Sequence, residues 1–165
     1  MQPPRSFPLP TRRATRRLAE CLASELAASD LVILSGPLGS GKTFFARALC
    51  RALGVPRERR VTSPTFTLIH EHAGRLAIAH ADLYRLEHER DLENLGLDAL
   101  RDAGSLLVVE WGEPYVDLLG GDALIVRFSL DPRVASVEAR GRRAEIVLGG
   151  LAERAAALDA PGAPG

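Results

Sequence analysis

Between Gly36 and Thr43 the chain reads Gly-Pro-Leu-Gly-Ser-Gly-Lys-Thr, which fits GxxxxGK[ST] in full, a spacing of residue types suited to holding phosphate. Glycines at 36, 39 and 41 let the backbone wrap closely so that successive N–H groups point inward. A helix opening at Lys42 adds its positive end to the same cradle. Gly36, Leu38, Gly39, Ser40 and Gly41 then form the wall of a nucleotide site. Lys42 supplies a point charge to the β- and γ-phosphates, and the Thr43 hydroxyl is placed to ligate Mg²⁺. Lys42 is the only lysine among 21 basic residues. A chain that uses arginine everywhere else has put its one compact ammonium at this point. ATP with Mg²⁺ is the expected cofactor.

Two acids follow apolar runs elsewhere in the chain. Glu110 ends Leu106-Leu-Val-Val109, where phosphate-loop proteins place an acid facing Mg²⁺ directly or through water. Asp82 ends Leu76–His80 and Ala81 in the same manner, so two carboxylates can converge on one nucleotide. One would hold the metal while the other positions water or senses the γ-phosphate. The alternative for Asp82 is that it caps the segment that follows. Thr62-Ser-Pro-Thr65 is a hydroxyl-rich, proline-stiffened loop. Ser63 and Thr65 are candidates to reach the γ-phosphate or Mg²⁺ in the manner of a switch loop. His70, His72, His80 and Asp82 have strand-face spacing, but no cysteine joins them and Asp82 belongs to the stronger motif, so no transition-metal site is assigned.

The elements that must position these groups are legible from periodicity. Leu18, Leu22 and Leu26 recur every four residues within Thr11–Ala28, an amphipathic helix capped at Thr11 or Thr15. Leu31–Leu34 reads as a strand buried on both faces. Lys42–Leu53 reads as a helix closed by Gly54. Val61–Glu71 reads as extended and broken by Pro64, Leu76–His80 as a second buried strand, Glu89–Leu100 as a helix, and Leu106–Val109 as a third buried strand. Ala123–Leu130 and Ala144–Leu148 are expected to form an antiparallel pair joined by an arginine-rich loop. Leu151–Leu158 is expected as a short helix and Ala160–Gly165 as a disordered tail. Alternating strands and helices predict one α/β domain over residues 1–159, a three-layer phosphate-loop NTPase-like fold, mostly parallel with an antiparallel edge. Ligands of such sheets bind beyond the carboxyl ends of the strands, which is where the phosphate loop, Asp82 and Glu110 fall.

Composition narrows the function classes. At 165 residues with 46% hydrophobic and 25% charged residues, the chain holds one core and is neither disordered nor of low complexity. Basic and acidic residues balance at 21 each, so the overall field of a DNA, RNA or anionic-membrane binder is missing. No stretch reaches the roughly 18 apolar residues of a spanning helix, and Met1–Pro10 lacks an apolar signal-peptide core. A cytoplasmic protein is expected. Cys21 and Cys50 lie in helical segments without CxxC or metal-ligand spacing and read as buried reduced thiols.

Read in order, Pro8-Leu9-Pro10 with Thr15, Gly36–Thr43, Ser63-Pro-Thr-Phe-Thr67, His80-Ala-Asp-Leu-Tyr-Arg-Leu86, Leu95-Gly-Leu97 and Val109-Glu-Trp111 together resemble the bacterial TsaE family over about Pro8–Leu148. The chain departs from it at Pro37, where the family often has Asp, and at Gly112, where it often has Pro. The resemblance implies an ATPase of tRNA threonylcarbamoyladenosine (t6A) synthesis that works on a complex of TsaD and TsaB and meets tRNA only indirectly. It implies Thr43 and Glu110 as the Mg²⁺ residues, Asp82 as a second catalytic acid, and Arg142, or its neighbour Arg143, at the nucleotide.

Two other classes fit the phosphate loop. A small-molecule kinase needs an acceptor pocket and an arginine-bearing lid, for which Arg57-Glu-Arg-Arg60 is the candidate. A nucleotide switch would use hydrolysis only as a timer. Nothing in the sequence closes the site against water, so a partner is expected to complete it at a rim of Ser63–Thr67, Asp82–Leu86 and Trp111, with Ser63 and Trp111 as contact residues; the alternative for Trp111 is that it packs under the sheet edge and meets no partner.

Overall fold

The computed structural model describes residues 1–162. Its elements run β1 (Arg5–Pro8), α1 (Arg12–Ala23), β2 (Leu31–Ser35), α2 (Lys42–Ala52), β3 (Ile69–Ala73), β4 (Ala77–Asp82), α3 (Glu89–Leu95), α4 (Leu97–Asp102), β5 (Leu106–Glu110), a short 3-10 turn (Glu113–Tyr115), β6 (Ala123–Leu130), β7 (Arg133–Arg140) and α5 (Arg142–Asp159). The strands form one sheet in the order β1-β7-β6-β2-β5-β4-β3. The inner four, β6, β2, β5 and β4, are parallel. β7 and β1 extend one edge antiparallel and β3 extends the other, so antiparallel pairing occurs at both edges where one was expected.

The central strands are apolar on both faces because helices cover both, and alternate side chains go to alternate layers. Val32 and Leu34 of β2 pack with Leu22 of α1, Phe45 and Leu49 of α2 and Leu148 and Leu151 of α5. Leu31 and Ile33, one residue out of phase, pack on the opposite face with Leu92 of α3, Leu97 of α4 and Val116 after the 3-10 turn. These are the three layers of the expected α/β fold. At about 1.5–3 kcal/mol per buried large apolar side chain, the layers on either side of β2 hold the strand ends in place. Thr11 caps α1 by accepting the Ala14 N–H at 3.1 Å.

Four expectations about elements are corrected. Ala144–Leu148 is not a strand but the second turn of α5, and the antiparallel partner of β6 is β7. Val147, Leu148 and Leu151 are buried along one face of α5, a helical period that Gly149-Gly150 interrupts in the sequence but not in the helix. The arginine-rich stretch expected as a loop is therefore a strand, with Ala135, Val137 and Ala139 buried at period two. The single helix over Glu89–Leu100 is two helices, broken where Gly96 takes φ +70°. Residues 61–68 carry no strand, and β3 begins only at Ile69. β1, at the proline-rich start of the chain, has no counterpart in the sequence reading.

The expected tail is in part described: Ala160 to Gly162 continue from α5 without regular structure, while 163–165 lie outside the described residues. Among the described residues no helix is long and apolar enough to cross a membrane. Both cysteines are buried and free. Burial raises the Cys21 thiol pKa and pushes that of Cys50 up to about 12.

Candidate functional site

The carboxyl ends of β2, β4 and β5 lie side by side, with Leu34 opposite Glu110 and Glu110 opposite Asp82 in the parallel ladders. The phosphate loop springs from β2, so all three motifs reach one rim of the sheet. Gly36 takes φ +136°, and a Cβ there would stand 2.5 Å from the Phe128 carbonyl of β6. Only glycine lets the loop pass this strand. Gly39 and Gly41 also have positive φ, at +74° and +101°, and Gly41 turns directly into α2. The folded loop is wrapped around its own lysine: Lys42 Nζ donates to the Gly36 carbonyl at 2.7 Å and the Pro37 carbonyl at 2.9 Å.

The Trp111 ring covers the same ammonium, 4.2 Å from ring centre to Nζ, a cation–π contact. Trp111 itself stands at φ +60°, a left-handed conformation that costs a bulky residue on the order of 1–3 kcal/mol. Tyr84 packs against it, 4.9 Å between ring centres. Lys42 is 5% exposed. Burial lowers its pKa, and the Glu110 and Asp82 carboxylates oppose that shift. This is the environment of a cation set in place to meet an anion.

Thr43 and Glu110 meet across the loop, the hydroxyl donating to Glu110 Oε1 at 2.8 Å. The other oxygen, Oε2, lies 2.7 Å from Nε2 of His80. Two hard oxygen donors from separate elements, beside a cationic lysine and a glycine loop, match the donor set of a Mg²⁺ held jointly by protein and phosphate. Asp82 is organised differently. Its Oδ2 accepts the Ser63 hydroxyl at 2.6 Å and the Thr65 hydroxyl at 3.3 Å, and its Oδ1 accepts the Tyr84 N–H at 2.9 Å. It thus ties the hydroxyl-rich loop to the end of β4 and also caps the following turn, the role the sequence offered as the alternative to a catalytic one. Leu38, Gly39, Gly41, Lys42, Thr43, Ser63, Thr65, Asp82, Glu110 and Trp111 line one cleft of about 380 Å³.

Beyond Gly39 and Gly41 a second cleft of about 330 Å³ opens toward the other sheet edge, lined by Leu9, Thr11, Thr15, Phe44, Phe128 and Arg133. Its half-apolar wall, continuous with the phosphate loop, suits a nucleoside. Arg133, which the sequence places in a loop, lines this cleft from the start of β7 because the β6–β7 hairpin carries it there.

Arg142 does not reach the site, and its expected place at the nucleotide is corrected. β7 runs antiparallel to β6 and returns the chain to the amino ends of the parallel strands, pairing Arg140 with Ala123. There Asp122 accepts the Arg143 and Ala144 N–H groups at the start of α5, and the Arg143 guanidinium binds Asp30 at 2.8 Å and the Glu25 carbonyl at 2.7 Å. Asp30 immediately precedes β2, whereas the phosphate loop follows it. Both arginines therefore stand at the start of α5 on the opposite rim, where Arg143 is bonded to Asp30 and the Glu25 carbonyl.

The turn after Trp111 is fixed by an ion network: Arg127 of β6 binds Glu113 at 2.5 Å and Glu138 at 2.7 Å. The buried Gly112 has no room for a side chain, because a Cβ would meet Val109 at 2.7 Å and Ile33 at 2.9 Å.

Comparison with known proteins agrees with this architecture. Residues 9–138 match the family described as threonylcarbamoyl adenosine biosynthesis protein TsaE. The tRNA threonylcarbamoyladenosine biosynthesis protein TsaE of Streptomyces coelicolor is 42% identical over 149 residues, covering 87% of this chain and 95% of that one. The protein of the same name from Mycobacterium tuberculosis H37Rv is 40% identical over 143 residues, 78% of this chain and 83% of that one. The crystal structure of Bacillus subtilis YdiB superposes with a TM-score of 0.76 at 26% identity, over 94% of this chain and 98% of that one. The fold, the order of the motifs and these likenesses lead to one conclusion: the chain belongs to the TsaE family of tRNA threonylcarbamoyladenosine biosynthesis proteins.

Proposed function

We propose that the chain is a Mg²⁺-dependent ATP hydrolase of the cytoplasm that supports t6A synthesis by acting on the TsaD–TsaB complex, without itself binding membrane or DNA and meeting tRNA only through that complex. The observation that carries the reading is the meeting of Lys42, Thr43, Glu110 and Asp82 in one cleft at the carboxyl rim. The loop N–H groups and Lys42 bind and orient the phosphates. Thr43 and Glu110 would hold Mg²⁺, which supplies charge neutralisation at the phosphate oxygens when bound. Asp82, next to Glu110 in the ladder, accepts hydrogen bonds from two hydroxyls and can accept one from water instead, orienting it for attack on the γ-phosphorus to give ADP and phosphate. The second cleft takes the nucleoside.

A kinase is less well supported, because its proposed lid, residues 57–60, lies away from the rim. Arg51 ties that segment to α2 by donating to the Pro56 and Arg59 carbonyls at 2.5 and 2.7 Å. The test is ATP turnover without any acceptor, with and without TsaD–TsaB. Slow turnover alone and faster turnover with the pair are expected, and turnover that requires a metabolite acceptor would establish a kinase. Lys42→Ala is expected to weaken ATP and ADP affinity by at least tenfold, and Lys42→Arg to fail as well, because a planar fork does not fit inside this loop. Calorimetry showing wild-type affinity in Lys42→Ala would overturn the phosphate-loop reading.

A further inference from the structure

His80 is fully buried on β4, yet it carries a polar ring into a layer otherwise filled by Ile78, Leu106 and Val108. Its Nδ1 has no hydrogen-bond partner among the described residues. An orphaned buried acceptor costs free energy that an apolar side chain of the same size would not. Something on the other side of the ring must offset that cost, and among the described residues one hydrogen-bonding partner stands there. Nε2 lies 2.7 Å from Oε2 of Glu110, which is itself 2% exposed. A carboxylate only accepts, so Nε2 carries the hydrogen.

Glu110 Oε1 meanwhile receives the Thr43 hydroxyl at 2.8 Å. A glutamate at a strand end has three side-chain torsions, and a single hydrogen bond leaves its headgroup free to rotate. One bond to each oxygen fixes the plane of the carboxylate. We infer that His80 is a positioning residue, which turns Oε2 of Glu110 into the sheet and thereby presents Oε1 to Thr43 and the cation. Partners of this kind behind a metal ligand typically change metal affinity by about 10–100-fold. The inference rests on the reading of Thr43 and Glu110 as the Mg²⁺ residues.

The test compares two variants of similar size. His80→Gln places an amide nitrogen close to where Nε2 lies, whereas His80→Asn carries its amide near the Nδ1 position, too short to reach Glu110. ADP affinity is measured by calorimetry in chelator. Mn²⁺ affinity of the protein–ADP complex is measured by electron paramagnetic resonance. The expected result is metal-free ADP affinity within about twofold of wild type in both variants, Mn²⁺ affinity weakened roughly tenfold in His80→Asn, and Mn²⁺ affinity restored to within about threefold in His80→Gln. Equal Mn²⁺ affinity in all three proteins, or His80→Gln as weak as His80→Asn, would overturn the positioning role. If wild-type protein–ADP binds no Mn²⁺, the Mg²⁺ reading itself fails, a result distinct from equal affinities. Imidazole ¹⁵N spectra of the wild-type protein need no variant to fold: a His80 ring with its hydrogen on Nε2 is expected, and a ring carrying it on Nδ1 alone refutes the donor role.

Discussion

Asp82 and Glu110 are neighbours in one ladder, yet their hydrogen bonds assign them different work. Glu110 is bonded to the residue after the lysine, and in the proposed reaction it would hold the cation. Asp82 is bonded to the hydroxyls of Ser63 and Thr65, and in the proposed reaction it would orient the attacking water. Neither carboxylate would add to phosphate binding in the absence of metal, since both are anions. Glu110→Ala and Asp82→Ala are therefore expected to keep metal-free ADP affinity within about threefold while lowering ATP turnover roughly 100-fold or more. Calorimetry and single-turnover kinetics check this, and a variant that loses affinity and turnover together would mark that acid as structural. These residues were legible from the sequence because each follows an apolar run, so the chain announces where a strand ends. His80 was legible only as a strand-face histidine, since its partner lies thirty residues away and only the β4–β5 register brings the two together. Arg142 misled because a glycine-arginine pair near the last strand says nothing about which end of the sheet it occupies.

At the scale of elements, the turn from Glu110 through the 3-10 segment holds Trp111 in its left-handed conformation over Lys42, and Arg127 of β6 clamps that turn through Glu113. The bonded Arg127 guanidinium, helped by Ser35, holds the Glu113 carboxyl below its ordinary pKa although partial burial pushes the other way. A carboxyl whose folded pKa is depressed contributes stability that is present above its unfolded value and is lost as pH falls through the folded value. Urea unfolding is accordingly expected to show wild type losing stability below about pH 5 with a contribution that Glu113→Gln lacks. The variant should be the less stable protein at pH 7, and the two should converge in acid. Parallel stability curves across that range would show that the clamp contributes nothing through its charge.

The buried inner strands were readable because continuous apolar runs have few other fates. The hairpin was not, because β7 buries small residues between Arg133 and Arg140, and alanine and valine at period two give a weak strand signal. Likewise α5 was divided by a Gly-Gly pair that tertiary packing against α1 and β7 overrides.

For the whole molecule, 21 basic and 21 acidic residues balance, so no net field steers a partner to it, and the surfaces beside the cleft are the ones a partner of the proposed reaction would meet. Those surfaces carry apolar side chains in the open: Phe66 is 83% exposed, Leu38 67% and Tyr84 51%, and the Arg85 guanidinium lies 4.5 Å from the centre of the Phe66 ring. Leu38 belongs to the phosphate loop, and Phe66 and Tyr84 flank the Ser63 and Thr65 hydroxyls and Asp82, to which those hydroxyls are bonded. Any rearrangement that frees Asp82 from Ser63 and Thr65, or lifts Trp111 from Lys42, therefore also moves this apolar rim. A partner seated on it would sense which nucleotide is bound, and would in turn favour the state it binds best. TsaD–TsaB is expected to bind the ATP state, the ADP state and the nucleotide-free protein with affinities that differ by at least about tenfold, or 1.4 kcal/mol. Phe66→Ser, which touches none of the phosphate-binding groups, should abolish most of the partner's stimulation while leaving unstimulated turnover unchanged. Trp111→Ala should also weaken stimulated turnover. Affinities measured with the purified proteins in the three nucleotide states decide the matter, because equal values would mean that the nucleotide exerts no differential hold on the rim and that hydrolysis is not coupled to the partner through it.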